Sequence, residues 1–101
     1  MAQTLQIKYL PSAQQDLLQI IEYISKDDAQ AAHAFVDKLD ETISKLAAFP
    51  FLGLVPNDRR LQSLKYRMLV IQNYLVFYVF IEEEIEIRRI LHGKRKYQFI
   101  L

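Results

Sequence analysis

Tyr66-Arg-Met-Leu-Val-Ile71, then Gln72-Asn73, then Tyr74-Leu-Val-Phe-Tyr-Val-Phe-Ile81, then Glu82-Glu83-Glu84, then Ile85-Glu-Ile-Arg-Arg-Ile-Leu91 and finally His92-Gly93-Lys94-Arg95-Lys96-Tyr97 is the stretch that decides the fold. β-Branched and aromatic residues crowd three short runs separated by polar breaks of turn length, which predicts an antiparallel meander. The central run, Tyr74 to Ile81, is apolar at every position, so both of its faces should be covered. Strict alternation along the last run puts Ile85, Ile87, Arg89 and Leu91 on one side and Glu86, Arg88, Ile90 and His92 on the other. Helices can cover only one of those sides. At least one of these guanidiniums is therefore expected in an open concavity on the other. Arg67 poses the same question, since it shares a side with Leu69 and Ile71.

The residues before the meander read as its packing. Thr4, Gln6 and Lys8 alternate with Leu5, Ile7 and Tyr9, the period of a half-buried strand. Pro11 ends it, and Ser12 with Gln15 three residues on forms a capping box. Leu17, Ile20, Ile21 and Ile24 then mark a first helix from about Ala13 to Ser25. Asp27 or Asp28 can cap a second helix, whose stripe is Ala32, Phe35, Val36, Leu39, Ile43 and Leu46, and which stops before Pro50. The two make a hairpin with a very short connection. Residues 50–64 read as a connecting loop with Gly53, Pro56 and Asn57-Asp58 as its turn residues. The expected fold is α+β, an antiparallel sheet packed on one face by an N-terminal helical hairpin, in the order β-α-α-β-β-β. The first strand can add to either edge.

A chain of 101 residues is expected to form one domain, residues 1–101. Two glycines, three prolines and 51% hydrophobic residues argue against disorder. The absence of cysteine removes a disulfide framework, a thiolate nucleophile and a sulfur metal site, which suits a cytoplasmic location. The first ten residues show no secretory signal, and the longest apolar run is far short of the roughly 18 residues of a membrane span. Net charge is +1, but it is split. Residues 1–58 carry four lysines against eight carboxylates, a net −4, and residues 59–101 carry nine basic residues against four glutamates, a net +5. One surface is thus suited to an anionic partner. A protein that lived by phosphate contacts would carry a larger excess.

Arginine inside an apolar strand is costly unless paired, and its planar fork suits a phosphate or a carboxylate. The bland alternative for Arg67, Arg88 and Arg89 is an internal salt bridge, with Glu86 for example, or an edge position in water. His92 stands at the strand exit among Lys94, Arg95 and Lys96, where neighbouring cations favour its neutral form. It could act as a general base beside Tyr97, with arginines holding a phosphate, a group able to activate an RNA 2′-hydroxyl. A solvated basic tail with a structural histidine is the competing reading. His33, on the flank of the second helix, is expected in water. No metal-ligand spacing, glycine-rich phosphate loop or nucleophile elbow is present, so neither metal nor cofactor is expected.

The order of elements, with Ser12-Ala13, Asp16-Leu17, Phe49-Pro50 through Gly53, Tyr66-Arg67, Tyr74, Tyr78, Ile90-Leu91-His92 and Arg95, resembles the RelE/ParE toxin superfamily over nearly the whole chain. The resemblance implies a bacterial type II toxin–antitoxin module, with a compact cytoplasmic toxin, a cognate antitoxin that neutralises it, and a homodimer or a hetero-oligomer with that antitoxin. Two activities occur in the superfamily: ParE-like poisoning of DNA gyrase, and RelE-like cleavage of mRNA on the ribosome. The long helical hairpin, the tail from Leu91 to Arg95 and the low total charge look more like the ParE branch. Under the RelE alternative the catalytic set would be Arg67, Arg89, His92, Arg95 and Tyr97. The lysines some RelE-like members place before the meander have no counterpart beyond the nearby Arg59, Arg60 and Lys65. A small interaction domain without toxicity is a third reading.

Overall fold

The computed structural model describes residues 5–97, 100 and 101. Strand β1 (Gln6–Tyr9) leads into helices α1 (Pro11–Asp27) and α2 (Ala29–Ser44), a 3-10 turn (Lys45–Ala47) and a short helix α3 (Arg59–Ser63). Strands β2 (Arg67–Ile71), β3 (Tyr74–Ile81) and β4 (Glu84–His92) follow. The expected α+β order is present. Thr4, expected to open the alternation of the first strand, lies outside the described residues.

The meander pairs antiparallel, β2 with β3 and β3 with β4, and β1 adds beside β4 in parallel, so the four-stranded sheet is mixed, in the order β1-β4-β3-β2. Ala13 and Ile20 of α1 and Phe35, Leu39 and Ile43 of α2 are buried against Leu69, Ile71, Val76, Tyr78, Ile85, Ile87 and Ile90 of the sheet. A single residue, Asp28, joins the helices. Its N–H donates to the carbonyl of Ile24, and its carboxylate accepts from the N–H groups of Gln30 and Ala31. One side chain thus caps the second helix at the point where the first one closes.

Three sequence expectations change. Ser12 is not a cap: Pro11 is the first helical residue, where its missing N–H costs nothing, and the Ser12 hydroxyl instead donates to the carbonyl of Arg88. The segment 50–64 is not all loop, because Asp58 accepts from the N–H of Leu61 and starts α3. The meander's second face is not an open concavity. Leu61 of α3 and Tyr97, Ile100 and Leu101 of the tail pack there on Phe77, Val79 and Leu91. Val76, Phe77, Tyr78 and Val79 are all fully buried as a result, as the unbroken apolar run required.

Candidate functional site

A β-bulge sets the geometry of the last strand. Phe77 lies opposite Arg89 but Tyr78 lies opposite Ile87, so Arg88 is an extra residue on β4. The insertion reverses the alternation beyond it. Ile90 joins Ile85 and Ile87 on the helical face, and Leu91 moves to the other, which corrects the sides expected for both. The first turn of α1 is fastened to this bulge. The Leu10 N–H donates to the carbonyl of Ile87 and the Ser12 hydroxyl to that of Arg88. The Asp16 carboxylate accepts from Arg89 Nε at 2.7 Å and Nη2 at 2.9 Å, and also from the N–H of Ile90. Asp16 is thereby the buried charged residue of the chain's described part. The pairing raises the Arg89 pKa further above its ordinary value, with the hydrogen bond to Asp16 as the main cause.

Arg88 points to the opposite face. It pairs with Glu86 at 3.0 Å and lies over the Tyr66 ring at 5.6 Å. The internal pairing weighed for it from sequence is therefore the arrangement found.

Arg67 is occupied differently. Its Nη1 donates to the carbonyls of Phe51 and Gly53, and its guanidinium lies 5.0 Å from the centre of the Phe51 ring. Tyr78 holds the same loop from the neighbouring strand: its hydroxyl accepts from the Gly53 N–H and donates to the Pro50 carbonyl. Burial pushes the Tyr78 pKa up, against the smaller opposing effects of the Gly53 N–H and of Arg67. Gly53 is required by space: a Cβ would stand 2.6 Å from Tyr78 Cε1 and 2.9 Å from the Met68 carbonyl.

His92, at the exit of β4, takes the Lys94 N–H on its Nδ1 and meets the Tyr74 ring edge-on at 5.3 Å. Arg95 is exposed. Tyr97 packs at a tilt on Phe77 at 4.9 Å, on the face away from α1 and α2. The five residues of the expected nuclease set are thus not gathered. Arg67 is drawn beyond the β2 edge to the loop at 51–53, and Arg89 beyond β4 to α1. Only His92 and Arg95 share a surface, a groove of about 630 Å³ between α1 and the ends of β3 and β4, which Gln19, Tyr23, Asn73 and Tyr74 also line. Burial, and the neighbouring Tyr23 to a lesser degree, raise the Tyr74 pKa above its ordinary value.

Sequence reasoning missed the part played by Asp16, Ser12, Gly53 and Tyr78. A signal for Asp16 was present: it falls three residues after Ala13 and four before Ile20, on the buried stripe of α1, where a carboxylate demands a partner. The Tyr78 and Gly53 contact, 25 residues apart, left no local trace.

Among the described residues no helix is long and apolar enough to cross a membrane, and no group of three or more His, Asp or Glu is placed to hold a metal ion. Over residues 7–97 the chain matches the family described as the ParE toxin of type II toxin–antitoxin system, parDE. No curated protein matches it. Among solved structures it is similar to a chain of the "Chromosomal ParDE TA system from P. aeruginosa", with a TM-score of 0.72 and 20% identity, covering 90% of this chain and 98% of that one. At that identity the likeness is one of fold.

Proposed function

Because this chain belongs to the ParE toxin family of type II toxin–antitoxin systems, and so has a cognate antitoxin as its partner, we propose that it arrests growth by binding DNA gyrase in the cytoplasm rather than by cutting message. The observation that carries this reading is the dispersal of the would-be catalytic groups. A nuclease needs cations and an acid–base pair converging on one phosphate. Here Arg89 is turned to Asp16 and Arg67 to the loop at 51–53, in opposite directions from β3, while Tyr97 lies against Phe77. A binding protein needs none of that convergence.

The groove between α1 and the ends of β3 and β4 is our seat for the antitoxin. Tyr23, 69% exposed, and Ile20 and Ile24 give it an apolar wall, and Gln19, Asn73 and His92 give it hydrogen-bonding groups. This composition suits an amphipathic segment that orders on binding. Titrating purified toxin into a gyrase supercoiling reaction tests the reading. Supercoiling is expected to fall with added toxin and to recover when antitoxin is supplied. Supercoiling that continues unchanged in a large excess of toxin would defeat it.

A further inference from the structure

A second groove, of about 410 Å³, opens where the loop at 51–55 meets the start of β2. Phe51, Val55, Tyr66 and Phe80 form its apolar lining, and Lys65 and Arg67 supply two cations; among the described residues no carboxylate lines it. We propose that this groove docks a segment of a partner protein that presents one aliphatic or aromatic side chain with a carboxylate one or two residues away. It lies apart from the groove assigned above to the antitoxin and does not depend on gyrase being the target.

Three observations point to that occupant. The apolar side chains are exposed although the loop carrying them is fixed: Phe51 is 62% and Val55 52% accessible. The loop's backbone is held by Arg67, by Tyr78 and by paired hydrogen bonds between Leu54 and Met68. A surface ordered in advance loses little entropy when something binds to it. Charge complementarity comes next. Arg67 spends Nη1 on the loop carbonyls, while its Nε and Nη2 have no hydrogen-bond partner among the described residues. These atoms and the exposed Lys65 can receive a carboxylate over a half-sheltered apolar floor, where the pairing is less screened than in open water. Finally, the acidic turn at Glu82-Glu83 begins two residues beyond Phe80, and its charge opposes a long polyanion such as a nucleic acid strand more than a single carboxylate.

The test uses the full chain, labelled with ¹⁵N, and three probes: the capped peptide Ala-Leu-Asp-Phe-Glu, its counterpart with Asn and Gln in place of the acids, and single-stranded oligothymidylate. The acidic peptide is expected to shift the backbone amides of residues 51–55 and 65–67, with an affinity about tenfold above that of the neutral peptide. Lys65→Glu should remove that preference, and Val55→Ser should weaken both peptides, each with an unchanged circular dichroism spectrum. Equal binding of the two peptides, or shifts confined to other residues, would overturn the proposal. So would stronger shifts of these amides by the oligonucleotide, or shifts that grow with protein concentration alone, which would make a second copy of the chain the occupant.

Discussion

The carboxylate of Asp16 holds the guanidinium of Arg89 through two hydrogen bonds and the backbone N–H of Ile90 through a third. It therefore ties α1 to the bulge that decides which way every later residue of β4 faces. Asp16 is the more buried partner, with 11% of its side chain accessible against 26% for Arg89. Removing Arg89 leaves a buried carboxylate with the Ile90 N–H as its remaining partner, and removing Asp16 leaves that buried N–H unpaired beside a cation that can turn to water. Arg89→Met and Asp16→Leu should accordingly each cost about 3 kcal/mol, with the double variant well short of the sum. Urea unfolding of the three variants measures this, and simple additivity would show the pair to be uncoupled.

Gly53→Ala is expected to destabilise the fold by about 2 kcal/mol or more, since its Cβ would press on the Tyr78 ring and the Met68 carbonyl, neither of which is the free end of a flexible chain. Tyr78→Phe should cost roughly 1–3 kcal/mol by leaving the Gly53 N–H and the Pro50 carbonyl without their partner. Thermal unfolding compares the two. Hydrogen exchange at Gly53 should speed up in Tyr78→Phe more than at sites in α2.

The tip between β3 and β4 is a place where the sequence opposes its own backbone. Glu82 and Glu83 both have positive φ, 51° and 64°, a conformation that side-chain-bearing residues avoid. They also set two like charges side by side. Replacing them with Asn-Gly should raise stability by about 1–2 kcal/mol, because that pair suits a two-residue hairpin turn with both central residues left-handed. A denaturation midpoint no higher than that of the parent chain would contradict the expectation.

Alkaline pH should weaken the protein through Tyr9. Burial chiefly, with Asp40 second, pushes its phenol up to about 12. The folded state prefers the neutral form. Its stabilising contribution is therefore complete below the ordinary value of about 10 and is lost as pH rises toward 12, with a ceiling of about 2 kcal/mol after screening. In Tyr9→Phe the fall in stability between those two pH values should be shallower, as read by unfolding at a series of pH values.

What could be read from the chain was whatever depends on local period and on turn chemistry. The runs 66–71, 74–81 and 85–91, the helical stripes, the cap at Asp28 and the exposed flank position of His33 all carry their signal within a few residues, and the structure has each of them. The rest depends on contacts made across the fold. An inserted residue at Arg88 gives no local sign, yet it moves Ile90 and Leu91 to the sides opposite those the alternation assigns. The parallel placement of β1 is set by packing along β4. The expectation of guanidiniums lining an open concavity failed for the same reason. α3 and the tail cover the second face, and Asp16, Glu86 and the loop carbonyls take up Arg89, Arg88 and Arg67. Family membership rests on the match over residues 7–97, not on that surface.

Whether the chain acts by binding or by cutting is decided most directly by primer extension across a message on translating ribosomes, with wild-type protein and with His92→Ala. Intact message with both proteins, at concentrations that stop gyrase supercoiling, is the result predicted here. Codon-positioned breaks made by the wild type and missing in His92→Ala would contradict it.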